Sequence, residues 1–159
     1  MNAMEIMNYG SWVEGYGDYN PEVYDEILRS GQRIYAIAAD DNHSARSSCG
    51  GWTMIKAPAL EYEAITESLV KGDFYASFGP EIKELWFEDG KVHIRCSEAE
   101  RVICSFPDRR AKILNRRDGD PITEAAFDII ESDGYFRLTV MDANGHCADT
   151  NAYFTDELF

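Results

Sequence analysis

The sequence lacks any apolar run approaching the roughly 20 residues that a membrane-spanning helix requires. Its first ten residues, MNAMEIMNYG, also lack the basic region and the apolar region that define a secretory signal. These two absences predict a cytoplasmic protein that has no membrane partner.

Basic residues are scarce, because 15 Lys and Arg stand against 29 Asp and Glu, which gives a net charge of −14. A chain this acidic repels a phosphate backbone, so we expect no nucleic-acid partner. Five basic residues nevertheless lie close together in the second half, and we interpret them as the solvated surface of a hairpin. They are Arg109, Arg110, Lys112, Arg116 and Arg117.

The four cysteines show neither a CxxC spacing nor a nearby histidine pair of the zinc-finger type. Cys96 and Cys104 fall in predicted strands, where a buried free thiol is the usual state of cysteine. Because the sequence also lacks an export signal, it argues against a disulfide framework.

The first half of the chain alternates between strand and helix patterns. Two apolar runs, Ala3–Asn8 and Arg33–Ala39, are typical of strands buried in a parallel sheet. Between them, Asn20 followed by Pro21 is a strong helix start, with Asn20 as the capping side chain, and Gly31 predicts the helix end. The order strand, helix, strand predicts a right-handed βαβ unit.

A second βαβ unit is predicted directly afterwards. Its strand covers Thr53–Pro58, and its helix runs from about Glu61 to Lys71, where Gly72 would end it. The first half therefore belongs to the α/β class.

The pattern changes after Gly79-Pro80, where short strands separated by turn residues replace the longer period of helices. Several of these segments, such as KVHIRC, alternate apolar and polar residues, which predicts a small antiparallel sandwich. With 159 residues, the chain accommodates two small domains, and we place them at residues 1–80 and 81–159. The predicted strands are Ile82–Phe87, Lys91–Cys96, Arg101–Phe106, Ala111–Asn115, Ala125–Ile130 and Tyr135–Met141.

Polar residues begin where the second buried strand ends, at about Ala39. Ligand sites of α/β sheets lie just beyond such strand ends. In extended geometry Asp41 and His43 would project to the same side, as a carboxylate and an imidazole suited to Zn²⁺, Mn²⁺ or Fe²⁺. Asp40 would point the other way and serve as a helix cap or as support for a metal ligand. The alternative is a turn in which His43 is simply an exposed loop residue.

The stretch RIYAIAADDNHS resembles the last metal-binding motif of the polymerase and histidinol phosphatase (PHP) superfamily, in which a strand ends in D-x-H. Three further stretches, AMEIMNYG, GGWTMIKAPAL and AITESLVKGDFYASFGPEI, resemble the branch that includes the CehA/McbA metallohydrolases. The final YFRLTVMDANGHCADTNAYF resembles the closing hairpin of the sandwich appended in those proteins. The resemblance spans nearly the whole chain.

This resemblance implies a partial PHP β/α barrel followed by a small antiparallel immunoglobulin-like β-sandwich. It also implies metal-dependent hydrolysis, mostly of phosphate esters, at a cluster of divalent metal ions. The D-x-H ligands correspond to Asp41 and His43. Glu5 and Asn8 match a strand end with a structural or substrate-side role, and proximity suggests that Arg46 meets a phosphate.

The sequence departs from the PHP pattern because it has no counterpart of the N-terminal H-x-H motif or of the middle acidic ligand. We therefore expect a hydrolase piece that is inactive alone, whether a truncated product, a mis-assigned start or one chain of a split enzyme. Self-association or a partner would supply the missing half of the barrel. The alternative is a non-catalytic binding or assembly module. An independent phosphate-binding protein has no support, because there is no P-loop-type glycine-rich loop.

Overall fold

The structure, a computed structural model, describes residues 3–117 and 119–159. Strands cover 42% of the chain and helices 21%, so the fold is mainly β, with antiparallel sheets. Internal contacts divide the chain between Phe78 and Gly79 into two compact units. We call the part that ends at Phe78 unit 1 and the part from Gly79 to Phe159 unit 2.

The described residues of unit 1, 3–78, form four strands and three α-helices. Its elements in chain order are β1 (Ala3–Asn8), α1 (Tyr9–Val13), α2 (Pro21–Arg29), β2 (Tyr35–Ala39), β3 (Trp52–Ile55), α3 (Tyr62–Lys71) and β4 (Phe74–Ser77).

Strands β1 and β2 pair in parallel, as the apolar runs in the sequence predict. The register places Ala3 opposite Tyr35 and Asn8 opposite Ala39. Ile6 and Ala36 are fully buried, which explains why both strands read as apolar runs. Because both strands end at the same edge, the residues that follow them are brought together there.

The helices follow their predicted signals closely, with two differences. Helix α2 begins at Pro21, and Gly31 after it adopts φ of +90°. However, the side chain of Asn20 donates to Asp18 Oδ1 (2.8 Å) instead of capping the helix. The glycine-rich segment after β1 also contains a short helix, α1, that the sequence did not predict. Among the described residues, no helix has the length and apolarity needed to cross a membrane.

The second predicted βαβ unit is wrong in one respect, because its strands do not run in parallel. Helix α3 lies between β3 and β4 and ends at Gly72, which has φ of +80°, as expected. Strands β3 and β4, however, pair antiparallel, with Trp52 opposite Ser77 and Ile55 opposite Phe74. Of the two expected βαβ units, only the first therefore has the parallel pairing.

Unit 2 is built from strands joined by short connections. They are β5 (Ile82–Glu88), β6 (Lys91–Ala99), β7 (Arg101–Ser105), β8 (Ala111–Asn115), β9 (Ile122–Asp128), β10 (Tyr135–Met141), β11 (Cys147–Thr150) and β12 (Tyr153–Phe154). All six strands predicted from the sequence for this half are present within a few residues of their expected ends.

These strands form two antiparallel arrangements that fit a β-sandwich. One has the order β5-β6-β9, and the other has the order β11-β10-β7-β8, with β12 also pairing with β10. Each carries one row of buried apolar side chains, which accounts for the alternation in the sequence. The rows include Val92, Ile94, Val102, Leu138 and Val140, each at most 2% exposed.

Two thiols are part of this core, as the sequence predicts. Cys96 and Cys104 are unbridged and buried. Burial raises the pKa of the Cys104 thiol to about 12 and also raises the pKa of Cys96. Both sulfur atoms therefore stay protonated at neutral pH and serve as packing groups.

Dipeptides that are typical of turns, such as Asp89-Gly90, lie in the connections between the strands of unit 2. Asp89 and Gly90 form a two-residue connection between β5 and β6, with φ of +49° and +72°. Two successive positive φ values define the hairpin turn for which Asp-Gly is a preferred sequence. The sequence also predicts a turn at Asp118-Gly119, but this turn cannot be compared in full with the structure, because Asp118 lies outside the described residues.

Strand β10 carries a buried ion pair that the sequence did not reveal. Arg137 Nη1 lies 3.1 Å from Asp149 Oδ1, and their side chains are 4% and 2% exposed. The Thr139 hydroxyl lies 2.6 Å from the same carboxylate oxygen. Buried charges survive only when they are paired and hydrogen-bonded, and both conditions are met here.

Candidate functional site

The candidate site lies in unit 1, at the edge where β1 and β2 end. Asn8 closes β1 beside Ala39, and the chain continues from Ala39 into Asp40 and Asp41. The backbone N–H of Gly10, at the start of α1, donates to the Asp40 carbonyl (2.8 Å). The backbone of α1 is therefore tied to the segment that carries the predicted ligands.

Asn8 is the buried centre of this edge, with only 8% exposed. Its Oδ1 accepts from the backbone N–H of Ser11 (2.9 Å) and so caps α1. Its Nδ2 donates to Glu5 Oε2 (3.2 Å) and to Asp41 Oδ2 (3.3 Å). One amide group thus brings together two carboxylates that are 36 positions apart in the sequence, both of which were singled out from the sequence.

The backbone at Asp41 differs from the extended geometry that was expected from the sequence. Asp41 has φ of +46°, in the left-handed region, so the expectation that its side chain and that of His43 project alike from an extended segment is wrong. The two residues still lie close together, with His43 Nδ1 3.9 Å from Asp41 Oδ1. Asp and Asn tolerate this backbone conformation better than most residues do, which suits Asp41 to the position.

A hydrogen bond to the backbone fixes the imidazole of His43. Its Nδ1 lies 2.7 Å from the carbonyl oxygen of Asp41, and a carbonyl oxygen can only accept. Nδ1 must therefore carry the proton, which leaves Nε2 of the neutral ring with a lone pair. Histidines that bind metals are commonly held in this way, with one nitrogen bonded to a carbonyl and the other directed at the metal.

The two predicted ligands are accessible from solvent. The side chains of His43 and Asp41 are 84% and 56% exposed. Glu5, the second carboxylate bonded to Asn8, is also exposed. An incoming ion or ligand would therefore reach these donor atoms without displacing protein groups.

Asp40 has a different role from its neighbour. Its carboxylate accepts three backbone N–H groups, from Cys49 (2.6 Å), Gly50 (2.9 Å) and Gly51 (2.9 Å). Partial burial alone would raise the pKa of Asp40, but the three donors outweigh it and lower that pKa below its ordinary value. The sequence-based expectation was a helix cap or a support for a ligand, and the structure shows it holding the segment 49–51.

Three glycines allow the backbone segments at this edge to approach one another. A Cβ atom on Gly10 would lie 2.7 Å from the Asp40 carbonyl oxygen, and one on Gly50 would lie 2.0 Å from the ring of Tyr9. A Cβ on Gly51 would meet the Ala39 carbonyl oxygen at 3.0 Å. These three glycines were not predicted as site residues, although paired glycines soon after a buried strand are a signal of close backbone approach.

Arg46 lies in the loop that follows the two predicted ligands, and it contacts α1. Its Nη2 donates to the carbonyl of Val13, the last residue of α1 (3.3 Å). The guanidinium group is thus bonded to a helix end, where a positive charge is favourable. The expected contact of Arg46 with a phosphate stays a prediction.

The donor types at this edge suit a divalent metal, but their number is small. Carboxylates and an imidazole are appropriate for Zn²⁺, Mn²⁺ or Fe²⁺. Within residues 3–117 and 119–159, no group of three or more His, Cys, Asp or Glu side chains is arranged to hold a metal ion. Asp41 and His43 are fewer donors than a metal ion normally takes, and the metal site stays a prediction.

Comparisons with protein-family models, with curated proteins and with solved structures each find no match. The geometry of this edge and the sequence motifs that it contains are therefore the basis for the function proposed below.

Proposed function

We propose that the chain is a piece of a PHP-type metal-dependent hydrolase, in which Asp41 and His43 form part of a divalent-metal site. The observation that carries this proposal is the bond from His43 Nδ1 to the Asp41 carbonyl, which leaves Nε2 as an accessible lone-pair donor. Its position beyond the ends of two parallel strands supports the same conclusion. In the finer fold that we propose, unit 1 is part of a PHP β/α barrel and unit 2 is an immunoglobulin-like sandwich.

Each residue of the edge has a defined part in this proposal. Asp41 and His43 hold the metal, and Asn8 restrains the Asp41 carboxylate through its Nδ2 atom. Asp40 keeps the segment 49–51 in place behind them. A bound Zn²⁺, Mn²⁺ or Fe²⁺ would polarise a phosphate ester and lower the pKa of a water molecule.

Stable metal sites normally use three or four protein ligands, so two donors from this chain need to be completed. We propose that a second copy of the chain supplies the remaining ligands, and that one chain alone does not hydrolyse phosphate esters. The accessible position of both donors leaves room for such a contribution.

A non-catalytic binding or assembly module is the second candidate. It is favoured by the hydrogen bonds that the edge makes within itself, because Asn8 and the Asp41 carbonyl already engage the carboxylates and the imidazole. In this case Asp41 and His43 would shape the loop and bind no ion.

Metal content decides between the two candidates. The protein is purified without chelators, loaded separately with Zn²⁺, Mn²⁺ and Fe²⁺, desalted and measured by elemental mass spectrometry. We expect near-stoichiometric retention of one metal in the parent and its loss in Asp41→Ala and His43→Ala. Removing one of so few donors should weaken metal affinity by at least about tenfold.

The chain offers a matched control in a second aspartate-histidine pair. His146 Nδ1 lies 3.4 Å from Asp142 Oδ2 in unit 2, and neither residue is assigned to the site. Asp142→Ala and His146→Ala should therefore keep the metal of the parent. No retention of metal by the parent would support the non-catalytic module instead. Loss of metal in all four variants alike would contradict the assignment of the site to Asp41 and His43. Sedimentation of the loaded protein tests the completion of the site, because a monodisperse monomer that retains metal contradicts a shared site.

A further inference from the structure

Strand β8 is the end strand of its sheet in unit 2. It pairs with β7, with Leu114 opposite Val102 and Ile113 opposite Ile103. In the described part of the chain, the strand order ends at β8, and no strand pairs with its other side. An end strand of this kind is a template on which a further strand can form.

The hydrogen-bond pattern shows which backbone groups of β8 face outward. The backbone N–H of Phe106 donates to Arg110 (3.0 Å), and that of Arg116 donates to Glu100 (2.8 Å), so these bonds bracket the ladder at both ends. Because bonding alternates along an antiparallel pair, the residues of β8 that bond to β7 are Lys112 and Leu114. The N–H and C=O groups that point away from β7 belong to Ala111, Ile113 and Asn115.

The side chains of β8 leave this edge open. Four of its five residues are exposed, and Ile113 and Leu114 are 51% and 38% exposed. Lys112, whose charge could otherwise protect the edge, instead bonds the carbonyl of Asp128 and lies over the ring of Phe106 (5.5 Å). The edge thus combines unpaired backbone groups with exposed apolar side chains.

Positive charge is concentrated at the two ends of β8 in an otherwise acidic protein of net charge −14. Arg110 is held by Asp133 (2.6 Å), and Arg116 lies on Glu100. Arg109 and Arg117 make no ion pair with any other residue that the structure describes. Each end of β8 therefore carries one arginine that has no charged partner among the described residues.

Charge also argues against pairing between two copies of β8. In an antiparallel pair of identical β8 strands centred on Ile113, the end of one copy that carries Arg109 would lie near the end of the other that carries Arg117. Like charges at close range are unfavourable. An acidic strand would meet opposite charges at both ends. Five residues of extended chain, roughly 17 Å at about 3.3 Å each, would cover β8.

We propose that β8 binds an extended acidic segment of another protein by adding it to the sheet as a further strand. The centre of the segment consists of apolar or β-branched residues. Their backbone groups bond the backbone of Ile113, and their side chains contact the Ile113 side chain. Aspartate or glutamate residues at both of its ends pair with Arg109 and Arg117. Backbone bonds supply much of the affinity in this mode of recognition, and the flanking charges supply selectivity.

The proposal is tested with the full chain and three fluorescein-labelled peptides of one central sequence, Thr-Val-Thr-Val-Thr. The ends carry two glutamates each, two glutamines each or two lysines each, and binding is followed by fluorescence anisotropy. The acidic peptide should bind at least about tenfold more tightly than the lysine peptide at low salt, and added salt should reduce the difference. Equal binding of the acidic and lysine peptides overturns the proposal.

A proline at position 113 tests the outer edge of β8 without removing its hydrogen bonds to β7. Because the N–H of Ile113 faces away from β7, Ile113→Pro removes an outward donor while keeping the bonds to β7. We expect it to weaken acidic-peptide binding about tenfold, whereas the control Ile113→Thr, which keeps the N–H, should bind within about threefold of the parent. Equal binding by the proline variant and the parent contradicts the proposal.

Two further readouts cover the remaining outcomes. Hydrogen exchange of the parent should show that the acidic peptide protects the backbone amide of Ile113. If this amide exchanges equally with and without peptide, the proposal is contradicted. This measurement needs only the parent, so it holds even if the proline variant fails to fold. Arg109→Glu with Arg117→Glu should reverse the preference between the acidic and lysine peptides. If the parent forms dimers and Ile113→Pro abolishes them, the edge of β8 binds a second copy of the chain. This result would overturn the proposal that β8 binds an acidic segment.

Discussion

Two adjacent aspartates of unit 1 illustrate how position decides the role of a side chain. Asp40 accepts three backbone N–H groups and turns inward to the segment 49–51. Asp41, one residue later and at positive φ, presents an accessible carboxylate to Asn8 and His43. The first aspartate holds the loop, and the second is the candidate ligand.

Replacing Asp40 by asparagine should destabilise unit 1 by about 1–3 kcal/mol at pH 7, because bonds to a charged acceptor are lost. The pKa of Asp40 is lowered in the folded chain, so its contribution is complete above the ordinary carboxyl pKa of about 3.9 and is lost as the pH falls through the lower folded value. The difference in urea-unfolding free energy between parent and Asp40→Asn should therefore shrink from pH 5 downward. A difference that stays constant over this range contradicts the assignment, and Asp41→Asn is the matched control.

The sequence predicted several residues of this edge but not the way they are joined. Asp41, His43, Glu5 and Asn8 were selected from strand ends and motif resemblance, and the structure places them within one hydrogen-bonded group. The left-handed backbone at Asp41 was missed, because φ depends on contacts made by the following loop. The bridging role of Asn8 was missed because it joins residues far apart in sequence.

At the scale of elements, local signals predicted the helices and strands well. Proline at the start of α2 and glycine at the ends of α2 and α3 act within one turn, so they can be read without the fold. The direction of β4 relative to β3 was missed, because it depends on which neighbour each strand pairs with. The burial of β10 was missed for a similar reason, because it also depends on which elements pack against the strand. Its sequence alternates, yet both of its faces are buried.

Helix α1 depends on a glycine at its second position. A Cβ on Gly10 would meet two backbone oxygens, those of Asp40 at 2.7 Å and Asp41 at 3.0 Å, and backbone atoms cannot rotate away. Gly10→Ala should therefore cost about 1–3 kcal/mol and expose the Gly10–Asp40 hydrogen bond to hydrogen exchange. Ser11→Ala, in the same helix, is the control and should leave exchange at position 10 unchanged. Equal protection in both variants would show that α1 can shift at no cost.

At the scale of the whole molecule, charge is distributed unevenly between surface and interior. Most of the charged side chains remain in water, whereas Arg137 and Asp149 form a buried pair in unit 2. The sequence could not reveal this pair, because an arginine within an alternating strand is typical of a solvent-facing position.

Breaking this pair should reduce global stability strongly. Arg137→Ala or Asp149→Ala leaves a buried charge without its partner and should cost about 3–5 kcal/mol, measured by urea unfolding. The double variant Arg137→Met, Asp149→Leu should cost less than the sum of the two single changes. The exposed pair of Arg95 and Glu84 is the control, and Glu84→Ala should cost less than about 1 kcal/mol. Similar costs for the buried and exposed pairs would contradict this account.

The distribution of cysteines has a practical consequence for the experiments on this molecule. Cys96, Cys104 and Cys147 are buried, whereas Cys49 is exposed and its backbone N–H rests on the Asp40 carboxylate. A maleimide dye added to the native protein would therefore attach at one known position, without any engineered mutation. Its emission would report on the loop behind Asp41 and His43, so metal addition could be followed in real time by a signal that does not require turnover.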